Sequence, residues 1–321
     1  MIRKILEAIE SNGRFLVAAH RNPDGDAIAS TLALGNALRE MGKETTTFNA
    51  DPVPSSYLFL PGADAMVQQV SDRPQFFEVG FILDSGELSR AGDYLKDRCR
   101  TLVNIDHHRN AEVFGAINYL DPDASSTGIL IHRLLKNYPR YRFSSAVATC
   151  IYTAILSDTG SFRFANTDKE SFQVAAELLD YGIDPCQIAS HLYENQEARI
   201  YQLLGQALSS LKLSQGGRVA SISVSLEEME KTGTSPVHTD GFINYPRSIR
   251  GVEVALFFRQ DQPNLFKVGF RSRKGIDVGS LARSLGGGGH ANASGATLEG
   301  SLHEIQEKVL ARLDALLSAT A

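Results

Sequence analysis

Up to residue 211 the chain moves between two kinds of apolar patterning. Short runs of strand type stand at residues 14–19, 44–49, 79–83 and 102–105, and most of the stretches around them repeat their apolar positions at helical spacing. Residues 1–10 read as an amphipathic helix. Residues 27–41 place Ile28, Leu32, Leu34 and Leu38 on one helical face, with Gly42 at the stop. Pro52, Pro54, Pro61 and Gly62 mark a loop region. Further helices are predicted at 128–138, 144–156, 168–181 and 185–211, the second of them apolar enough to be buried. Strands spaced by helices in this way point to βαβ units and a largely parallel sheet.

Beyond residue 211 the pattern changes. Residues 218–225 alternate like a strand, 251–259 and 266–270 are apolar and β-prone, and helical patterns stand at 241–249, 278–285 and 302–317. The expected architecture is α/β throughout. A Rossmann-like, largely parallel sheet flanked by helices occupies 1–187, a helical linker 188–211, and a smaller mixed α/β domain 212–321. The charged, Gln-rich stretch 194–199 marks the connection. No internal repeat or low-complexity tract is visible.

Composition mainly excludes. A length of 321 residues suits two domains, and 43% hydrophobic with 21% charged residues is ordinary for a globular chain. No stretch approaches the ~18 consecutive apolar residues of a membrane span, and the N-terminus lacks the apolar core of a signal peptide. Three cysteines, Cys99, Cys150 and Cys186, fall in no CxxC spacing, which disfavours a disulfide framework or structural zinc and fits a reducing cytoplasm. The net charge of −5 does not advertise the basic surface that a grip on long nucleic acid needs, so a phosphate-bearing substrate should be short.

The candidate chemistry sits where the apolar runs end. Residues 14–19 run into His20, Asp24 and Asp26, with Pro23 and Gly25 forcing an irregular backbone; 79–83 end at Asp84; 102–105 end at Asp106, His107 and His108; and the apolar helix ends at Asp158. Asp24 or Asp26 alone could serve as no more than a helix cap. In parallel sheets, however, ligand sites gather at the carboxyl ends of strands, which brings this whole set into one crevice. Carboxylates and imidazoles without thiolates suit Mn²⁺ or a similar ion. Two such ions activate a water and relieve charge on a phosphoryl group, and Asp84, isolated at a strand tip, is the candidate to bridge them.

The set His20-x-x-x-Asp24-x-Asp26, Asp84, Asp106-His107-His108 and Asp158, with Gly-Gly-Gly-His far downstream, resembles the DHH phosphoesterase superfamily with its DHH-associated C-terminal domain. The segments 240–246 and 277–290 resemble the branch of bifunctional nanoRNases and pAp phosphatases, which degrade very short oligonucleotides and remove the 3′-phosphate of 3′-phosphoadenosine 5′-phosphate. The resemblance implies one Mn²⁺ on His20, Asp24 and Asp84 and a second on Asp26, Asp84, His107 and Asp158, with Mg²⁺ or Co²⁺ as alternatives. It implies that Asp106 orients His107 and that His108 faces the substrate phosphate or its leaving group. In the second domain it implies that Arg271, Ser272 and His290 bind the terminal phosphate or base, beside Gly287, Gly288 and Gly289. Four glycines could equally end a helix or form a hinge. One departure is Ala293-Ser294-Gly295 in place of Ala-Ala-Gly, a change expected to bear on nucleotide preference.

The other histidines, His132, His191 and His303, have no partner in spacing and read as surface or core residues, and Arg247 and Arg250 as a solvated face. The expected function is hydrolysis of oligonucleotides of about two to five residues, RNA or DNA, and of 3′-phosphoadenosine 5′-phosphate to AMP, in the cytoplasm, with a homodimer plausible. Alternatives sharing the metal site are a linear or cyclic dinucleotide phosphodiesterase, a single-strand exonuclease and a pyrophosphatase. The exonuclease would want an extended basic or aromatic track. A nucleotide-binding regulator without catalysis would show gaps among the ligands, and none is missing.

Overall fold

Each apolar run of the first half becomes a strand whose successive side chains go to opposite helical layers. The computed structural model describes residues 1–273 and 275–318, and the chain divides into two units, Met1–Asn195 and Gln196–Ala321. The first unit runs α1 (Ile2–Ser11), β1 (Arg14–Ala19), α2 (Gly25–Glu40), β2 (Glu44–Phe48), β3 (Phe77–Leu83), α3 (Leu88–Ala91), α4 (Leu95–Arg98) and β4 (Cys99–Asp106). It continues with β5 (Ile117–Leu120), α5 (Thr127–Lys136), α6 (Ser145–Asp158), α7 (Lys169–Leu179) and α8 (Pro185–Tyr193). Its five strands are all parallel, in the order β2-β1-β3-β4-β5.

Phe15 and Val17 of β1, Phe81 of β3 and Val103 of β4 pack on one side with α2, α5 and α6, while Leu16, Ala18, Ile82 and Leu102 pack on the other with α3 and α4. This is the period-two alternation of a strand buried on both faces. Helix α2 is buried along most of its length because α5 and α6 cover it. Gly25, at its start, is a close-approach position: a Cβ there would lie 2.2 Å from Ser157 Oγ.

Register does the positioning. Ala19 pairs with Leu83, and Leu83 with Ile105, so the three strands finish level with one another. The next residues in sequence, His20, Asp84 and Asp106, therefore share one edge of the sheet. The chain passes from β1 to β2 on one side and returns to β3 on the other, so this edge includes the point where strand order reverses, the usual ligand crevice of an open α/β sheet.

The second unit runs α9 (Ala198–Ser209), β6 (Lys212–Ser214), β7 (Val219–Val224), α10 (Leu226–Thr232), α11 (Asn244–Arg247), β8 (Val254–Gln262) and β9 (Leu265–Ser272). It ends with α12 (Val278–Ser284), β10 (Gly288–His290), β11 (Ala293–Glu299) and α13 (Leu302–Ser318). Its sheet order is β10-β11-β9-β8-β7-β6, parallel at β7/β8 and antiparallel elsewhere. The core under α12 and α13 is built on Val254, Leu256, Phe258, Phe266, Val268 and Phe270. No helix among the described residues is long and apolar enough to cross a membrane.

Several elements differ from the sequence expectation. The helix expected over 185–211 is two helices, because Glu194, Asn195, Gln196 and Glu197 give the chain nothing to bury there and α8 stops at Tyr193. The helix over 241–249 shrinks to α11. Strands β5, β6, β10 and β11 went unanticipated. The four residues of β5 are only half-buried, and β11 mixes Ser, Gly and Thr with few apolar residues.

Phe81 is fully buried at the centre of the first sheet. Phe81→Ala should lower unfolding stability by about 3–5 kcal/mol, the range for emptying a buried aromatic site, measurable by denaturant titration; a loss below ~1 kcal/mol would show that this core is not packed as described.

Candidate metal centre

His20 follows β1 directly, and its ring is fixed at one nitrogen: Nδ1–H donates to Arg21 O at 2.8 Å. That leaves Nε2 facing Asp24 Oδ2 at 3.9 Å and Asp84 Oδ2 at 3.8 Å. Asp24 is the N-cap of α2, its Oδ1 accepting from Ala27 N–H while Oδ2 faces His20. Asp84 sits at φ +52°, in the left-handed region that a residue other than glycine rarely adopts, and is buried. Strain of this kind persists where surroundings over-determine the residue, as they do at functional sites.

His107 is held in the same manner. Its Nδ1–H donates to Ala124 O at 3.1 Å, and Nε2 stands 3.7 Å from Asp26 Oδ2, 3.5 Å from Asp84 Oδ1 and 3.8 Å from Asp158 Oδ2. These separations are too long for hydrogen bonds. They approach the ~3 Å spacing of two donors that share a divalent cation at about 2.1 Å each. The donors fall into the sets His20–Asp24–Asp84 and Asp26–His107–Asp158, all atoms in a set lying within 4.8 Å of one another. Asp84 reaches both. A third set, Asp84–His107–His108, is also close, but His108 Nδ1–H is engaged by Asp106 Oδ1 at 2.6 Å.

The backbone around the site locks the carboxylates. Helix α5 begins at the site: Thr127 N–H and Gly128 N–H donate to Asp26 at 2.6 and 3.0 Å, where the helix dipole favours negative charge. Ser30 Oγ adds a bond to Asp26, and Thr127 Oγ1 donates to Asp84 Oδ1 at 3.0 Å. Asp158 ends α6, the unfavourable end of a helix for an anion, and is steadied by Asn166 Nδ2 at 2.9 Å.

Electrostatics make the cluster a cation acceptor. Burial pushes the Asp84 carboxyl well above its usual range, and Asp26, Asp24, Asp106 and Asp158 push it further. Burial likewise raises Asp26, with Asp24 adding to it, and raises Asp158 to about 7, with Asp26 adding to it. For His107, burial pulls the imidazole down, yet Asp26 and Asp158 leave it raised overall; His20 is lowered, chiefly by burial. Carboxylates crowded in this way hold protons unless a cation replaces them. The hard oxygen and imidazole donors fit divalent ions.

The six residues expected as ligands therefore converge, but one expected role is corrected. Asp106 does not orient His107. Its Oδ1 accepts from both His108 N–H and His108 Nδ1–H, and its Oδ2 from Gly86 N–H at 2.5 Å. The reason is local: Asp106 is the last residue of β4, and the turn after it folds His108 back, while His107 swings toward the Ala124 carbonyl. Burial acts to raise the Asp106 carboxyl, but these bonds hold it below its usual value. Thr127, Ser30, Asn166 and the Ala124 carbonyl went unnoticed in the sequence. The Ser125-Ser126-Thr127 run, a helix start, was the one available signal, and Asn166 carried none.

In the second unit, register places Arg271 and His290 either side of Ala293 on neighbouring strands; the side chain of His290 lies outside the described residues. Burial lowers the Arg271 guanidinium, which has Asp240 and Arg247 within electrostatic reach. Ser272 is turned inward, its hydroxyl donating to Ile276 O at 2.6 Å. Gly287 and Gly289 are needed by the hairpin itself, since a Cβ would lie 2.1 Å from Gly295 O and 2.6 Å from Ser294 Cα; at Gly288 it would meet open space. Ser294 donates to Val278 O at 2.7 Å and ties down the start of α12.

The sequence matches the DHH family, N-terminal domain, over residues 14–155 and the DHHA1 domain over residues 216–319. It is 35% identical over 311 residues to the bifunctional oligoribonuclease and PAP phosphatase NrnA of Thermus thermophilus, covering 97% of this chain and 91% of that protein. It is 28% identical to the protein of the same name from Bacillus subtilis, over 98% of each. The crystal structure of an exopolyphosphatase-related protein from Bacteroides fragilis superposes with a TM-score of 0.91 at 29% identity, covering 99% of this chain and 97% of that one.

The raised carboxyls set a pH dependence. A folded state that holds Asp26, Asp84, Asp158 and His107 above their unfolded values binds extra protons, so its stability is present at low pH and lost as pH rises from the ordinary carboxylate range through about 7. His20 and His132, both lowered, act in the opposite direction but are fewer. The metal-free protein should therefore melt at a lower temperature at pH 8 than at pH 5, and Mn²⁺ should stabilise it most at the higher pH. A metal-free melting temperature that is level or rising across that window would contradict this account of the cluster.

Proposed function

The chain belongs to the DHH family, its second part a DHHA1 domain, and from that membership we propose a two-cation phosphoesterase that hydrolyses oligonucleotides of about two to five residues and converts 3′-phosphoadenosine 5′-phosphate to AMP. The observation that carries the reading is the pair of adjoining donor sets at one level sheet edge, Asp84 belonging to the first and its Oδ1 lying 3.5 Å from His107 of the second. Relatives named as bifunctional oligoribonucleases and PAP phosphatases along nearly the full chain support the substrate class. The acidic overall balance supports short substrates over long ones.

In this reading His20, Asp24 and Asp84 hold one cation, and Asp26, Asp84, His107 and Asp158 hold the other. The oxygen-rich donor set favours Mn²⁺, with Mg²⁺ or Co²⁺ as alternatives. When bound, the two cations supply Lewis-acid polarisation of the phosphoryl group and a water acidic enough to attack it. The protein supplies the rest. Backbone bonds at Nδ1 of His20 and of His107 aim their Nε2 atoms inward. The α5 amides and Thr127 keep the Asp26 and Asp84 oxygens fixed, so no reorganisation is needed as charge develops. His108, held at Nδ1 by the ionised Asp106, hands a proton from Nε2 to the departing oxygen.

We assign recognition of one end of the substrate to the second unit. Arg271, with Gly288 and His290 on the neighbouring hairpin, is its candidate for a terminal phosphate or base, whereas Ser272, Gly287 and Gly289 act by shaping that hairpin. The reading includes a homodimer and a cytoplasmic setting, the latter in keeping with three free cysteines.

A matched panel tests the proposal: RNA of two, five and twenty nucleotides, 3′-phosphoadenosine 5′-phosphate, a cyclic dinucleotide and pyrophosphate, each with Mn²⁺. Preference for the two- to five-mers together with 3′-phosphatase activity is expected. Preference for the twenty-mer, the cyclic dinucleotide or pyrophosphate would overturn the substrate, and binding without turnover would favour a nucleotide-binding regulator.

A further inference from the structure

Beside the metal centre, above the ends of the neighbouring strands, lies a cleft of about 480 Å³ lined by Arg21, Asn22, Asp51 and Arg90. Its volume falls in the range of small-ligand sites. Nothing in the two donor sets uses these residues.

The two arginines are held side by side by backbone bonds. Arg21 N–H donates to Arg90 O at 2.8 Å, joining the loop after β1 to the end of α3. Asn22 takes φ +50°, and its N–H donates to Asp51 Oδ2 at 2.6 Å, which turns the loop over the cleft. Asn49 completes the support, bonding His20 O through Nδ2 and receiving Asp51 N–H at Oδ1. The loop that carries His20 and Asp24 thus also fixes where Arg21 sits.

Neither guanidinium is neutralised by a carboxylate among the described residues. Arg21 Nη2 reaches only Ser89 O, at 3.3 Å, and Arg90 Nη1 only Ser85 O, at 3.2 Å. The one carboxylate in the cleft, Asp51, accepts the Asn22 backbone N–H and forms no ion pair with either guanidinium among the described residues, so the cleft carries one net positive charge. Two like charges placed together, in reach of water and beside a phosphoryl-transfer site, suit an anion with several oxygens. Guanidinium forks match phosphate geometry in pairs of parallel bonds.

We propose that Arg21 and Arg90 form a separate anion subsite that takes a nucleotide phosphate adjoining the one being cleaved. It supplies the cationic partner that the acidic metal-binding residues cannot offer, and so helps select substrates carrying more than one phosphate. The proposal rests on the phosphoesterase reading for the identity of the anion, but the subsite itself can be measured without turnover.

The probe is a dinucleotide joined by an uncleavable methylphosphonate, offered bare, with a 5′-phosphate and with a 3′-methylenephosphonate in place of the hydrolysable 3′-phosphate, and titrated calorimetrically into the Mn²⁺-loaded protein. At least one terminal phosphate should tighten binding to the wild type by about tenfold or more, the scale of one charge-assisted contact. Arg21→Gln, a change at an exposed position, and separately Arg90→Gln should each remove most of that increment. No increment in the wild type, or an increment that survives in both variants, overturns the subsite. If the increment behaves as expected while cleavable dinucleotides are not hydrolysed, the subsite stands and the phosphoesterase reading fails.

Discussion

Mutual repulsion among buried carboxylates is the constraint around which the first unit is built. Asp26 and Asp84 are almost wholly out of water, Asp158 is partly so, and the bonds they accept from α5, Ser30, Thr127 and Asn166 fix their positions without cancelling their charge. An isolated buried carboxylate is costly, and several together are costlier. The arrangement becomes favourable when divalent cations lie among the donors, so cation binding and the stability of this edge of the sheet are one free-energy term.

The rest of the fold brings that edge into being. Level strand ends place His20, Asp84 and Asp106 side by side, and the N-termini of α2 and α5 and the C-terminus of α6 deliver Asp24, Asp26, Thr127 and Asp158 to the same spot. Each histidine is oriented by its second ring nitrogen: His20 on Arg21 O, His107 on Ala124 O, His108 on Asp106. The division of labour follows from those bonds. Two imidazoles point Nε2 at clustered carboxylate oxygens, while the third is held at Nδ1 by Asp106.

Much of this was legible in the chain itself, because the residues that carry the chemistry end the apolar runs that form the strands. Residues 79–83 followed by Asp84, and 102–105 followed by Asp106-His107-His108, announce both a strand and a site. What was not legible depended on which way a turn folds. Asp106 precedes both histidines and is the closer in sequence to His107, and only the backbone path after β4 shows that it serves His108. Asn166 lies in a loop with no periodicity, and its contact with Asp158 exists only in three dimensions. Strand β11 escaped notice because its burial comes from packing under α12, with little apolar content of its own. The glycine run was visible, yet backbone crowding at Gly287 and Gly289 explains two of its members without any ligand.

The most direct test is a count of tightly bound Mn²⁺ per chain, by equilibrium dialysis and elemental analysis, in the wild type and in Asp84→Ala, with circular dichroism to check that the variant is folded. Two ions in the wild type and none in the variant is the predicted result, since one carboxylate serves both donor sets. Retention of either ion by a folded Asp84→Ala protein, or absence of tight binding in the wild type, would contradict the shared centre.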